Sequence, residues 1–290
     1  MSGAGRQADG FWTPRRDIPQ AEQVAGCLLG GAARRAACGS PGRDSLREVW
    51  WMGETRWRFH QELENLEREV QQTGAEARRL LAKALQALVD VDLRACEEVV
   101  RGDDEVDRLY LDVEQRILGL FALQTPVASD LRLLTALLHI NLHLERIADQ
   151  AVNLAKITCL VEGLPSNPRM LRGLQEMGRL ALGMVGTAMD ALARRDLELA
   201  RRLPELDDPI DELNRGMLQQ VLDTSDDKPV LEWGIRMYVV SRQLERIGDN
   251  AVDIGEQVAF LVTGQFREFT DASHPEIEHP ELLRRGTAAS

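Results

Sequence analysis

Aromatic residues are scarce in this chain, at 4% of 290 residues, and Gly and Pro become sparse once the first fifty positions are passed. A sandwich or barrel of short strands needs β-branched and aromatic alternation broken by frequent turn residues, and no stretch here alternates in that way. Cysteine numbers four, Cys27, Cys38, Cys96 and Cys159, with no CxxC and no His/Cys cluster at zinc spacing. That argues against a disulfide-stapled scaffold and a zinc finger; the reading is free thiols in a reducing cytosol. No run approaches the roughly 18–20 apolar residues that span a bilayer. Positive charge is in deficit, with 47 Asp and Glu against 35 Lys and Arg and a net charge of −12. Binding a phosphate backbone needs a basic surface, so nucleic acid is not a main partner, while cations or basic protein patches suit the charge. GxxxxGK[ST], GxSxG and a GxGxxG following a strand are all missing, and the chain reads as a non-enzyme.

Residues 1–51 differ from the rest. They hold eight Gly and no sustained helical period. Val24-Ala25-Gly26-Cys27 imitates a lipoprotein cleavage site, but Asp17–Gln23 before it is polar where a signal peptide needs an apolar stretch. The expectation is a cytoplasmic protein, neither secreted nor lipidated, with residues 1–53 a disordered extension and Met52 an alternative start.

What is present in quantity is Leu, Ala, Glu, Arg and Val, and from about Arg56 the apolar period is 3.6. Leu63, Leu66, Val70, Ala77, Leu80, Leu81, Ala84 and Leu88 make one stripe. Asp92 is placed to cap a second helix running through Val99, Val106, Leu109, Val113, Ile117 and Leu120. Thr125-Pro126 ends it and starts a third, with Thr125 or Ser129 as cap, which runs to about Val161. Gly163–Pro168 is a cluster of breakers. A fourth helix then covers Pro168 to Ala193, a fifth begins near Asp196, and a sixth runs from Pro229 to about Val262. The end, from residue 267 to 290, reads as a flexible tail.

The second set repeats the first. Asp103-Asp104-Glu105-Val106-Asp107 recurs as Asp207-Asp208-Pro209-Ile210-Asp211, 104 residues on. Leu144–Asn153 recurs as Leu244–Asp253, 100 residues on, with seven of ten residues identical. The expected fold is all-α, two tandem homologous three-helix bundles over residues 54–163 and 164–266.

Each repeat carries acids four apart: Asp103/Asp107 and Glu145/Asp149, then Asp207/Asp211 and Glu245/Asp249. On a helix such acids lie about 40° apart on one face and repel by a few tenths of a kcal/mol. Acids from two neighbouring helices could converge on a cation, and oxygen-only donors favour Mg²⁺, Ca²⁺, Mn²⁺ or iron over a structural zinc. The bland alternative is a solvated acidic face, and Arg146 or Arg246 could neutralise a carboxylate without metal. Asp253, where the first copy has Asn153, could join the second set's edge and make it more anionic and tighter-binding. His139 and His143 share zinc-like spacing but point away from Glu145 and have no copy in the second repeat; they read as surface or interface residues. Met170, Met177, Met184 and Met189 read as core fillers. Ala148 and Gly248 stand where a di-iron Glu-x-x-His motif needs histidine, which disfavours that redox chemistry.

Leu144-Glu145-Arg146-Ile147-Ala148-Asp149 and Leu244-Glu245-Arg246-Ile247-Gly248-Asp249 resemble the duplicated E/D-x-x-x-D signature of PhoU-type phosphate-transport regulators. Pro126–Arg132 and Val262–Arg267 resemble the same family's third-helix start and C-terminal end, so the likeness covers about Glu54 to Arg267 in repeat order. The resemblance implies a cytoplasmic, homodimeric, non-enzymatic adaptor. It would act between the ATPase subunit of a phosphate ABC transporter and a sensor histidine kinase, as a negative regulator of uptake and starvation signalling, reaching the membrane through those partners alone. It also implies divalent or multinuclear metal (Mg, Mn, Fe or Zn) on Asp103, Asp107, Glu145 and Asp149 in one site and Asp207, Asp211, Glu245 and Asp249 in the other. Pro204 and Pro209 are expected to interrupt the fifth helix, with Asp208 capping a restart and Asp207 outside regular helix. The alternative function is a metal-buffering or metal-storage protein, and a third reading is a helical scaffold whose acidic faces dock basic partners.

Overall fold

The computed structural model describes residues 43–266, 268 and 269, with side chains described from residue 56. Among these residues seven helices follow one another: α1 (Arg43–Asp90), α2 (Leu93–Gln124), α3 (Ala128–Cys159), α4 (Pro168–Arg194), α5 (Leu197–Arg201), α6 (Leu203–Leu222) and α7 (Lys228–Thr263). Among the described residues there is no strand. Among the described residues no helix is long and apolar enough to cross a membrane. The chain is therefore all-α, built of two three-helix sets in which α5 and α6 together stand for the second helix of the second set.

Helix α1 reaches back to Arg43, earlier than the onset of the apolar period at Arg56. Ser45 to Met52 contains neither Gly nor Pro, and the single Gly53 costs a helix only about 1 kcal/mol. The remainder of the expected extension, residues 1–42, and the tail beyond residue 269 lie outside the described residues.

The caps follow the local chemistry. Asp92 accepts from the N–H groups of Arg94 and Ala95, and its copy Asp196 from those of Glu198 and Leu199. Asn167 and Asp227 cap α4 and α7 with Pro in the first turn of each. Asp92→Ala removes the oxygen that accepts from both N–H groups and is expected to lower stability by about 1 kcal/mol, read by urea unfolding. Thr125 does not cap α3 as the sequence suggested. It closes α2 in the left-handed region at φ 40°, because a residue before proline is pushed out of the helical well. Val127 then precedes α3 without a side-chain cap, while Ser129 bonds to Asp130 instead.

The break in the second set also falls elsewhere. It comes at Arg202, between α5 and α6, and Pro204 takes the first turn of α6, where a missing N–H costs nothing. Pro209 sits inside α6. Its ring leaves the Glu205 carbonyl without a helical donor, and Glu205 is exposed, so water can serve it. Asp207 therefore lies within regular helix, a correction to the expectation.

The described residues from Met52 onward form one compact unit. Equivalent helices of the two sets pair antiparallel. Gly74 faces Met189 and Gly178 faces Leu85 between α1 and α4, while His143 meets Asn250 and Arg132 meets Gly264 between α3 and α7. Leu66, Leu80, Leu137, Ile147, Leu174, Met184, Leu244 and Ile247 are among the buried residues of one continuous core that both repeats share. All four methionines read as fillers are buried in it. Ion pairs lace the flanks: Arg116 of α2 reaches Glu62 at 2.8 Å and also Glu69 on α1, and Arg195 reaches Glu67 at 2.6 Å.

Candidate functional site

Each repeat fixes the register of its second and third helices with one buried polar link. In the first, Asn141 Nδ2 donates to the Tyr110 carbonyl at 2.9 Å; in the second, Ser241 Oγ donates to Asn214 Oδ1 at 3.0 Å. Asn141 and Ser241 occupy equivalent positions, as do Tyr110 and Asn214. A buried polar group must find its partner, so these links hold the acid-bearing faces opposite each other. The sequence signal was a polar residue inside an apolar stripe of the third helix.

In the first repeat the structure brings the α2 and α3 acids within electrostatic reach. The Asp103 carboxyl is pushed up to about 6, chiefly by burial, then by Asp107 and Asp149, with Lys156 opposing. Glu145 is raised by burial and then by Asp149, Asp107 and Asp103, with Arg146 opposing. Asp107 and Asp149 themselves are exposed. The four residues thus form an acid-lined shelf, its inner edge at Asp103 and Glu145.

The second repeat is built differently. Asp249 is pushed up to about 6 by burial, then by Glu245, Asp211 and Asp253, with Arg242 opposing. Glu245 is ion-paired with Arg242, and Asp211 stands 3.9 Å from Arg215. Asp207 is only 7% exposed and lies directly over Gly248 of α7. A Cβ at that position would run into its carboxylate. The first copy has Ala148 there, and the matching Asp103 is only half-buried. The Gly/Ala difference therefore sets how deep each acid sits.

Asp253 is drawn to a neighbour that spacing arguments had set aside. His143, with a side chain 12% exposed, reaches from α3 to Asn250 at 2.9 Å and to Asp253 at 3.4 Å on α7. Asn250 donates through Nδ2 to the Arg246 carbonyl, so its Oδ1 faces the ring and the proton belongs on His143 Nδ1. His143 is thus a seam residue between the repeats, and His139 is exposed.

All the candidate donors are carboxylate oxygens, and acids that raise one another's pKa are what a hard cation would relieve. Their donor chemistry fits such an ion. Their spacing is open: among the described residues no group of three or more His, Cys, Asp or Glu is placed to hold one ion.

The raised pKa values have a stability consequence. In the folded chain Asp103 and Asp249 keep a proton to about pH 6, whereas their ordinary value is 3.8. Between those values the folded state binds more protons than the unfolded one. The contribution is fully present below about pH 4 and is lost as pH rises through about 6. Allowing for screening at these partly exposed sites, each acid accounts for about 1 kcal/mol. In chelator-treated protein, D103N/D249N is expected to be about 2 kcal/mol more stable than wild type at pH 7.5 and equal to it near pH 4, read by urea unfolding at each pH.

Comparison with known proteins adds to this geometry. The PhoU domain model matches residues 70–158 and 174–258, one match in each repeat. The chain is 29% identical over 219 residues to a phosphate-specific transport system accessory protein PhoU homolog of Clostridium acetobutylicum, covering 75% of this chain and 100% of that protein. It is 31% identical over 213 residues to PhoU homolog 1 of Mycobacterium bovis, covering 71% and 93%. The crystal structure of PhoU from Pseudomonas aeruginosa matches with a TM-score of 0.68 at 29% identity, over 71% of this chain and 100% of that one. That of the phosphate transport system regulatory protein PhoU from Streptococcus pneumoniae matches with a TM-score of 0.66 at 25% identity, over 72% and 99%. The family model matches both repeats, and the chain belongs to the PhoU family.

Proposed function

We propose that this chain is an accessory regulator of phosphate transport, a cytoplasmic homodimer that restrains a phosphate ABC transporter through its ATPase subunit and helps a sensor histidine kinase silence starvation genes when phosphate is plentiful. The carrying observation is the family match in both repeats, to relatives named for the phosphate-specific transport system. The charge supports an adaptor: acidic shelves and a net charge of −12 suit docking on basic patches of partner proteins. Within this reading the two acid sets hold divalent or multinuclear metal, Mg, Mn, Fe or Zn. Asp103, Asp107, Glu145 and Asp149 would serve one set, and Asp207, Asp211, Glu245 and Asp249, with Asp253 at its edge, the other. Such an ion supplies positive charge that relieves the acids' repulsion and joins the second and third helix of each repeat.

The test is genetic and biochemical. Deleting the gene is expected to leave a phosphate-starvation reporter switched on in phosphate-rich medium, with restoration by the full chain. Tagged full chain should capture the transporter ATPase or the kinase's cytoplasmic part. A reporter that stays silent in the deletion strain, with neither protein captured, would overturn the reading.

A further inference from the structure

Cys96 and Cys159 lie in different helices, 63 positions apart in sequence. The first stands in the opening turn of α2 and the second is the last residue of α3. Antiparallel pairing of α2 and α3 brings those two ends together, close enough for the thiols to act on each other. Cys96 is fully buried, whereas Cys159 is exposed. A small oxidant therefore meets the Cys159 sulfur first.

The second repeat supplies an independent check on this geometry. Its equivalents of Cys96 and Cys159 are Ala200 and Ala259, both buried. One turn before Ala259, a Cβ built on Gly255 would stand 3.1 Å from the Ala200 carbonyl oxygen. The fold thus brings these two helix ends close in both copies, and alanine fills both positions in one of them. Packing does not demand cysteine, so the thiol pair is surplus to the architecture.

We propose that Cys96 and Cys159 are a redox-reactive thiol pair that closes to an intramolecular disulfide when Cys159 meets a hydroperoxide. The Cys159 sulfur attacks the peroxide O–O bond, giving a sulfenic acid and releasing an alcohol, or water from hydrogen peroxide. The Cys96 sulfur then attacks the Cys159 sulfur. The S–O bond breaks, the S–S bond forms, and the departing hydroxide leaves as water with the Cys96 proton. Two thiols lose two electrons in total, and the peroxide gains them.

The order of events follows from the surroundings. Burial pushes the Cys96 thiol up to about 12, with Cys159 and Asp92 adding to the shift, so Cys96 keeps its proton and waits. Oxidation of Cys159 removes one of those contributions at the moment when Cys96 must react. Intracellular disulfides of this kind are usually transient and redox-sensing. The bridge would tie together the ends of the helix pair that carries Asp103, Asp107, Glu145 and Asp149, and it forms whether or not those acids hold metal.

The test uses the full chain with Cys27 and Cys38 changed to Ser, reduced and then exposed to hydrogen peroxide, with thiols counted by alkylation and peptides mapped by mass spectrometry. Both remaining thiols are expected to disappear together, with a Cys96–Cys159 linked peptide that a dithiol reductant reverses. Cys96→Ala should stop at a dimedone-trapped sulfenic acid on Cys159, and Cys159→Ser should leave Cys96 alkylatable after unfolding. Circular dichroism confirms that each variant keeps its helices, and Ala at the second-repeat equivalents indicates that it will. Oxidation of Cys159 to sulfinic acid with Cys96 still free, or covalent dimers through Cys159, would overturn the proposal.

Discussion

Gly255→Val is expected to cost the fold about 3 kcal/mol. Even a Cβ at position 255 would stand 2.5 Å from a methyl of Leu203 and 3.1 Å from the Ala200 carbonyl oxygen. The methyl can turn aside, but the carbonyl is backbone. It belongs to the last turn of α5, where Pro204 has no N–H to offer it. Valine adds two further methyls against a wall that cannot retreat, and overpacking of this kind costs about 1–3 kcal/mol or more. The first repeat has Ala155 at the equivalent position, buried beside an unbroken α2. Ala155→Val should therefore cost less than Gly255→Val. Chemical unfolding of both variants measures the contrast, and equal losses would mean that the α5–α6 break does not set the approach.

Much of this fold was legible in the sequence because helices announce their ends. Asp92, Asn167 and Asp196 each sit one residue before an apolar period begins and each caps the helix there. The repeat was legible because its acids and its Leu-Glu-Arg-Ile run keep register. The pairing of the repeats was not. Leu134, Ala136, Leu137, Ile140, Ile147, Val152 and Leu154 are buried over nearly half the circumference of α3. An apolar stripe that wide does not say which part meets α2 and which part meets α7. For the same reason His143 looked misdirected: it does point away from Glu145's shelf, and toward the other repeat.

Proline was misread because the rule depends on position. Pro204 and Pro209 both lack a donor, but one lies in the first turn of α6, where no donor is needed, and the other one turn further in, above an exposed carbonyl. The second acid set was legible as residues but not as an environment. Sequence gives Asp253 as an added charge. The structure gives Asp253 a neighbour in His143 and Glu245 an ion-pair partner in Arg242, so one of the set's negative charges is already answered.

That difference shapes the last expected result. In equilibrium dialysis of full-length protein against Mn²⁺, E245A/D249A is expected to weaken binding at the second set by about 100-fold or more, leaving the first set's binding in place. Arg242→Ala should do the reverse, tightening the second set by roughly fivefold, because it frees Glu245 and removes a positive charge a few ångströms away. Unfolding is a poor explanation for a loss in E245A/D249A. Asp249 is held up to about 6 by burial and like charges, so its removal relieves the metal-free fold instead of straining it. The variant should melt no lower than wild type in chelator at pH 7.5 while binding less metal. Wild type and E245A/D249A binding Mn²⁺ equally would mean that these acids are a solvated face. Regulation through partners would then have to rest on the helical surface alone.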